Sequence, residues 1–374
     1  MRRRISIFLV IVPAILLAAT AFVCATWFHF SGTNDSFTVV IAPVLLSLAY
    51  APATLVGFRN SSLGLRIVYA VSATWIGVLN FCFFAAVACW LVDGMAWLMG
   101  WPLAPGYLSG ILFGAALVVS VYGLINAAWT RVTRITVALP HLPEAWRGRT
   151  AALVTDLHLG HLSGPRFSRR IIGLLRRLNP DVVFISGDLF DGTRAGLDHL
   201  IAPWRDYTAP RGIYFVTGNH EEIADRRIYL EAVERTGISV LNNEKVTIDG
   251  LQLIGVHDAE TADPRELRAI LQRARIDPRR PSILLAHEPA NLTAAELEGI
   301  SLQLSGHTHH GQFWPWSLLV SRIYGPFAYG LQRLGRLQVY TSSGAGTWGP
   351  PLRVGTRSEV VLIRFESRAE GDSL

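Results

Sequence analysis

Four uncharged apolar stretches precede Trp129, and each is long enough to cross the hydrocarbon core of a bilayer, which takes about 20 consecutive apolar residues. The stretches fall at Ile5–Phe28, Phe37–Phe58, Ile67–Val92 and Tyr107–Ala128. The 374-residue chain is 51% hydrophobic and has a mean hydropathy of +0.33, which is more apolar than an ordinary soluble protein. We therefore predict a transmembrane anchor of four helices over residues 1–135.

The charged residues of this region indicate its orientation. Residues 1–136 hold seven Arg and only two acidic residues, Asp35 and Asp93. Arg residues precede the first stretch, lie between the second and third, and follow the fourth, while the two Asp lie in the other two loops. Because cytoplasmic loops are enriched in Arg and Lys, we expect a multi-pass inner-membrane protein whose N-terminus and later domain both face the cytoplasm.

The first stretch has a second interpretation, a cleaved signal peptide, because Val23-Cys24-Ala25 resembles a cleavage site. The apolar run is longer than the ~7–15 residues usual in such signals, so a retained helix is favoured. The four stretches also lack the charged side chains that transport pathways need. We therefore expect an anchor rather than a channel or carrier.

Residues 136–374 alternate short apolar runs with polar helical patterns, which is typical of one α/β domain. Metal-binding residue types follow five of the apolar runs: Asp156 and His158 after 150–155, Asp188 after 182–186, Asn219 and His220 after 213–217, His287 after 283–286, and His307 and His309 after 302–304. Residues two apart on an extended segment point to the same side, so one strand end can offer two ligands to one ion. A set without thiolates suits Mn, Fe or Zn.

These five blocks, in this order over about Ala151–His309, resemble the calcineurin-like metallophosphoesterase family. The similarity continues through Gly311-Gln312 to Ser343-Gly344-Ala345-Gly346. The resemblance implies that residues 136–374 form an α/β/β/α sandwich of two mixed sheets with flanking helices. It further implies a two-metal centre with these roles: Asp156, His158 and His309 bind the first ion, Asp188 bridges both, and Asn219, His287 and His307 bind the second.

In enzymes of this family, a metal-activated hydroxide attacks the phosphorus atom. By the same resemblance His220 carries no metal and protonates the leaving oxygen, a role suited to a group that titrates near neutrality. Asp191 and Glu221 complete the family patterns, and we expect both to hydrogen-bond near the metal ligands without binding metal.

Three further histidines lie near these motifs. His310 stands where the family usually has glycine, and it could contact phosphate or simply face solvent, the second being favoured. His161 and His257 are predicted to be turn or cap residues, because the metal set is complete without them.

The substrate is the least constrained part of the prediction. The aromatic-rich segment Phe313–Leu334 could receive acyl chains, dock against the bilayer, or simply cover the sheet. Anchor and site together predict hydrolysis of a phosphodiester or pyrophosphate bond in a membrane lipid or lipid precursor. Similar pyrophosphohydrolases act on UDP-diacylglucosamine, which makes that lipid the most specific expectation. A phosphodiesterase acting on a soluble nucleotide and a non-catalytic membrane module are the alternatives, and no nucleic-acid partner is expected.

Overall fold

The computed structural model describes residues 2–33, 37–101, 104–223 and 225–367. The chain divides into two units, which are described separately here. The first comprises Met1–Ala128 and Gly349–Val354, and the second comprises Trp129–Trp348 and Gly355–Leu374. Asp35, which the orientation argument uses, and residues 368–374, the end of the predicted catalytic domain, lie outside the described residues.

The first unit contains four apolar helices long enough to cross a membrane. They are α1 (Arg2–Ser31), α2 (Phe37–Gly57), α3 (Leu63–Leu98) and α4 (Pro105–Ala128). Helix α3 is longer than the predicted stretch, so Asp93 lies inside a helix and not in a loop. The sequence beyond Val92 has no proline until Pro102, and the helix continues until the chain approaches that residue.

The helices of the first unit are joined by polar contacts between side chains. The hydroxyl groups of Thr20 and Ser47 lie 2.8 Å apart, and Trp90 Nε1 donates to Thr26 at 2.9 Å. Such interhelical hydrogen bonds satisfy polar groups that lipid cannot. They tie α1 to both α2 and α3.

A short segment from late in the chain also packs into the first unit. Asn126 donates its side-chain amide to the backbone oxygen of Arg353 at 2.8 Å. Leu352 lies where α3 and α4 carry Gly77 and Gly123, and a Cβ at Gly77 would come within 2.1 Å of Leu352 Cδ1. The absence of side chains at these glycines therefore makes room for the segment. Nothing in the local sequence of residues 349–354 predicts this location.

The second unit contains two six-stranded sheets among the residues that the structure covers. In sheet order the first consists of β1 (Arg131–Leu139), β12 (Glu359–Ser367), β2 (Thr150–Val154), β3 (Val182–Ser186), β4 (Ile213–Val216) and β5 (Ser239–Val240). The second consists of β10 (Gly330–Leu334), β11 (Leu337–Thr341), β9 (Leu302–Ser305), β8 (Ser282–Leu285), β7 (Leu251–Gly255) and β6 (Glu244–Ile248).

Both sheets are mixed. Strands β2 to β5 are parallel, and β12 pairs antiparallel to β2 and parallel to β1. In the second sheet β7, β8, β9 and β11 are parallel, while β6 and β10 run antiparallel at the two edges.

Eight helices flank the sheets: α5 (Pro165–Leu178), α6 (Leu197–Ile201), α7 (Asn219–Glu222), α8 (Arg227–Glu234), α9 (Asp258–Ala262), α10 (Pro264–Ala274), α11 (Leu292–Leu297) and α12 (Trp316–Tyr324). One apolar core joins the facing sides of the two sheets, for example through Phe184 and Leu304. A second core packs α5, α6 and α8 on the first sheet, and a third packs α10 and α11 on the second. The predicted α/β/β/α sandwich is therefore confirmed.

Candidate metal centre

The predicted ligands come from five strand ends, three in the first sheet (β2, β3 and β4) and two in the second (β8 and β9). Asp156, His158 and His309 form one group in which the ligand atoms lie within 4.8 Å of one another. The Nε2 atoms of His158 and His309 are 3.0 Å apart, and Asp156 Oδ1 is 3.4 Å from Nε2 of His309. All three side chains are buried. This group is the set that the resemblance assigns to the first metal ion.

A second group of the same kind joins Asp156, Asp188 and His287. Asp188 Oδ2 lies 3.2 Å from His287 Nε2 and 3.7 Å from His158 Nε2, so this carboxylate oxygen lies between the two groups. That position suits a carboxylate that bridges two cations. The remaining pair assigned to the second ion, Asn219 and His307, is also in contact, with Asn219 Oδ1 2.8 Å from His307 Nδ1.

The ring of His287 provides a test of whether these residues suit a cation. Its Nδ1 atom lies 2.8 Å from the backbone oxygen of Ser186, which can only accept, so Nδ1 carries the hydrogen. In the neutral ring the lone pair is then on Nε2, which is buried, has no hydrogen-bond partner, and faces Asp188 Oδ2. A lone pair and a carboxylate oxygen repel each other unless a proton or a cation lies between them. The donor set therefore fits a divalent ion.

The pKa directions in the metal-free centre agree with this interpretation. Burial lowers the pKa of His287, but the negative charges of Asp188 and Asp156 have the larger effect, so the pKa is raised well above the ordinary value. Burial raises the pKa of Asp188, but His287 and His220 outweigh it and the net pKa is lowered well below the ordinary value. The centre thus attracts positive charge, and bound cations would compete with the proton on His287.

The backbone at the centre is unusual. Five of the seven predicted ligands, Asp156, His158, Asp188, His307 and His309, have positive φ angles between 47° and 67°. Non-glycine residues rarely adopt this left-handed conformation, and where they do it commonly marks a functional site. Asp156 and His158 follow β2 in an irregular segment in which both have left-handed backbone angles. Our expectation that they alternate along an extended segment is wrong.

Two glycines allow the strand ends to approach closely. Gly187 has φ +80°, and a Cβ there would lie 2.5 Å from His287 Nδ1. A Cβ on Gly306 would lie 2.3 Å from Asp156 Oδ2. Any larger residue would therefore displace a predicted ligand.

Asp191 and His220 lie beside the first group. Asp191 Oδ1 is 3.3 Å from His158 Nδ1 and 3.7 Å from His220 Nδ1, so one carboxylate oxygen faces both rings. His220 Nε2 points toward the centre, 4.0 Å from Asp188 Oδ2. The exposed indole of Trp348 lies edge-on to the His220 ring, with 6.1 Å between the ring centroids.

Glu221 is buried, and its side chain binds backbone groups beside the predicted metal ligands. Its carboxylate accepts backbone N–H groups from Asp188, Phe190 and Gly218 at 2.8 to 3.1 Å. Burial and the charge of Asp188 raise the pKa of Glu221 to about 8 in the metal-free centre. The side chain holds the ends of β3 and β4 together, which matches the supporting role expected for it.

The other histidines lie around the centre. His310 stacks on Tyr329 with 4.5 Å between ring centroids and an interplanar angle of 7°. His161 lies in the turn between Leu159 and Ser163. His257 precedes α9 as its N-cap residue, and its Nδ1 atom accepts the backbone N–H of Thr217.

Sequence reasoning missed two residues that organise the surroundings of the centre. Glu359 is buried and lies within hydrogen-bonding distance of hydroxyl groups on Tyr329, Tyr340 and Ser342. Gln312 binds both backbone polar groups of Trp348, at 2.9 and 3.0 Å. No spacing rule could have identified either residue, because their partners come from separate parts of the chain. The family similarity around Gly311-Gln312 was the one available signal.

Fold and site together define a class: a two-sheet α/β domain that gathers Asp, Asn and His from five strand ends is a metal-dependent phosphoesterase domain. The family model for calcineurin-like phosphoesterases matches residues 150–311, which hold all seven predicted ligands. Residues 150–311 are therefore assigned to the calcineurin-like phosphoesterases. The matched family comprises phosphoesterases, and the clustered Asp and His residues of this chain could hold divalent metal ions.

Several relatives support this assignment. A transmembrane protein with metallophosphoesterase domain from Danio rerio is 35% identical over 264 residues, 66% of this chain and 60% of that protein. A metallophosphoesterase of Campylobacter jejuni is 29% identical over 351 residues, 89% of this chain and 91% of that protein. A third, from Helicobacter pylori J99, is 35% identical over 57% of this chain and 58% of its own length. The chain thus spans about three fifths of two of these relatives. The four apolar helices and the first relative's name indicate a membrane protein.

Proposed function

We propose that this chain uses two divalent cations to hydrolyse a phosphodiester or pyrophosphate bond in a membrane-embedded lipid or lipid precursor, with the catalytic unit in the cytoplasm. The arrangement of His287 and Asp188 carries the proposal. His287 Nε2 and Asp188 Oδ2, buried 3.2 Å apart, favour a positive charge between them, and bound cations would take the place of the proton that the metal-free centre favours there. The orientation rests on the distribution of Arg between the spans.

Each ligand has a stated role in the proposal. Asp188 would bind both cations, Asp156, His158 and His309 would bind the first, and Asn219, His287 and His307 would bind the second. When bound, the cations would supply Lewis acidity to the phosphoryl oxygens and lower the pKa of a water molecule. The set contains oxygen and imidazole ligands and no thiolate, which suits Mn, Fe or Zn.

His220 is the proposed acid for the leaving oxygen. Burial lowers its pKa, and the charge of Asp188 only partly opposes this, so the free ring is mostly neutral near pH 7. An anionic phosphoester bound beside the ring would raise that pKa and favour the protonated form. Asp191 Oδ1 lies 3.7 Å from His220 Nδ1, and its negative charge also favours the protonated ring.

Two features support a lipid-linked substrate. The chain carries helices long enough to span the membrane, so its substrates can reside there. Trp348 is 57% exposed beside His220 and offers an aromatic surface to the group that leaves or to the second ester substituent. A nucleotide-linked lipid such as UDP-diacylglucosamine has both an aromatic base and acyl chains.

The metal mechanism is tested with bis(p-nitrophenyl) phosphate and Mn²⁺, using the full-length protein in detergent. Asp188→Ala should lower the rate by at least about a hundredfold, since it removes a preorganised charge at the centre. Asp198→Ala is the matched control, because Asp198 is an exposed aspartate that pairs only with surface Arg residues. Undiminished turnover by Asp188→Ala would refute the mechanism.

The substrate is tested separately. UDP-diacylglucosamine in mixed micelles should be cleaved by the wild type and not by Asp188→Ala. Cells that carry the variant should accumulate a phosphorylated lipid or lipid precursor that wild-type cells do not. If the wild type cleaves only soluble diesters and no lipid accumulates, the lipid substrate is wrong although the metal mechanism stands.

A further inference from the structure

Helix α12 exposes apolar side chains almost all along its length. None of its nine residues is buried. Trp316, Leu318, Leu319 and Ile323 are 49%, 64%, 51% and 64% exposed, and Trp314 just before the helix is 45% exposed. Large apolar side chains grouped in this way mark an interaction surface, whereas single exposed ones do not.

The spacing of these residues gives the helix two faces. One face carries four apolar residues, because positions three, four and seven residues after Trp316 lie on the same side of a helix. These are Leu319, Val320 and Ile323. Ser317, Ser321 and Arg322 occupy the other side, together with Leu318, which is 64% exposed. An apolar face beside a polar, basic one is the pattern of helices that lie in the plane of a membrane interface.

The charges of residues 313–336 indicate what kind of surface α12 would bind. Residues 313–336 contain three Arg, at positions 322, 333 and 336, and no Asp or Glu. Basic residues without acidic residues in the same segment complement anionic lipid headgroups.

We infer that α12 lies in the interface of the bilayer, with Trp316, Leu319 and Ile323 in the acyl region and Arg322 among the headgroups. The same chain carries helices long enough to span a bilayer, and only Trp129 and Thr130 separate the end of α4 from the start of β1 in the sequence. We name the face formed by Trp316, Leu319 and Ile323 the α12 face.

The helix is directly connected to the candidate metal centre. Tyr324 at its last position donates its hydroxyl hydrogen to Glu288 Oε1 at 2.7 Å, and Glu288 follows the predicted ligand His287. The Tyr324 ring also lies 6.2 Å from the ring of His307. An α12 face inserted in lipid would therefore hold the metal centre near the headgroups, where a lipid phosphoester is found. This last step rests on the proposed function, while the insertion itself does not.

Site-directed spin labelling tests the insertion. Cysteine is placed at Ile323 or Leu319 in the full-length chain, with Cys24, Cys82 and Cys89 replaced by Ala, and the protein is reconstituted in vesicles of phosphatidylcholine and phosphatidylglycerol. Leu297→Cys on α11 is the control, because Leu297 is 66% exposed and Ile323 is 64% exposed. Labels at 319 and 323 should collide more with lipid-soluble oxygen than with a water-soluble nickel chelate, and the label at 297 should show the reverse.

Two results would overturn the inference. If labels at 319 and 323 match the label at 297, the α12 face is in water. If they are shielded from both oxygen and the nickel chelate, protein covers the face instead of lipid. Turnover of bis(p-nitrophenyl) phosphate by the same samples reports on the metal centre, so a failed insertion and a failed metal mechanism remain distinguishable.

Discussion

His257 is a buried residue whose ring must stay neutral to do its structural work. Its Nδ1 atom accepts the backbone N–H of Thr217 at 3.1 Å, just before the predicted ligand Asn219. Burial lowers the pKa of His257 to about 4, with Arg226 adding to the effect and Glu260 opposing it. In the unfolded chain the pKa is about 6.5, so the unfolded state takes up the proton first as the pH falls.

The free energy of unfolding should therefore decrease as the pH falls from about 6.5 to about 4. Titration of His257 should account for a decrease of about 2 kcal/mol at pH 5 relative to neutral pH. His257→Gln keeps a neutral acceptor for the Thr217 N–H and should not show this pH-dependent decrease. Thermal unfolding of both proteins in detergent with EDTA, at pH 7 and pH 5, measures the difference. Equal acid sensitivity of the two proteins would show that His257 does not cause it.

At the scale of elements, Gln312 holds the backbone of Trp348 in position. Its side chain accepts the Trp348 N–H and donates to the Trp348 carbonyl oxygen. Gln312→Ala removes both bonds and should raise KM for bis(p-nitrophenyl) phosphate by about fivefold, the equivalent of one net hydrogen bond, with little change in kcat. Steady-state kinetics with a parallel assay of bound metal measure this.

The control for Gln312 is Gln272→Ala on α10, which removes an exposed amide that binds Glu298. It should leave both kinetic constants unchanged. Gln312→Glu keeps the acceptor and loses the donor, so it should restore KM only in part. A fall in kcat together with lost metal in Gln312→Ala would mean that the residue supports the metal ligands and does not position Trp348.

The elements differ in how well the sequence predicts them. Strand β3 matches its predicted range, and β2, β4, β8 and β9 differ by about one residue, because each is a buried apolar run bounded by turn signals. Strand β12 inserts between β1 and β2, so that Arg131 pairs with Glu359. That pairing depends on contacts across the whole domain, and no local pattern encodes it. The same holds for the left-handed backbone at Asp156 and His158.

At the scale of the whole molecule, one chain combines a unit suited to lipid with a unit suited to water. The first unit consists of helices apolar enough to lie in lipid. The second consists of sheets and helices whose apolar side chains pack together because water surrounds the unit. Residues 349–354 depart from this order, because they follow the phosphoesterase motifs in sequence yet pack in the first unit. Composition alone assigns them to the second unit, and the contacts of Leu352 and Arg353 reveal the difference.

The orientation of the molecule is the last prediction. Arg59 lies in the turn between α2 and α3, and Arg66 lies in the first turn of α3, so both remain at the end of the helices that the sequence assigns to the cytoplasm. A green fluorescent protein fused after Leu374 should fluoresce in a bacterial host, and alkaline phosphatase at the same site should be inactive. Fusions after Gly100, between α3 and α4, should behave in the opposite way, which controls for expression. Active phosphatase at the C-terminus would place the catalytic unit outside the cytoplasm and exclude cytoplasmic lipid precursors as substrates.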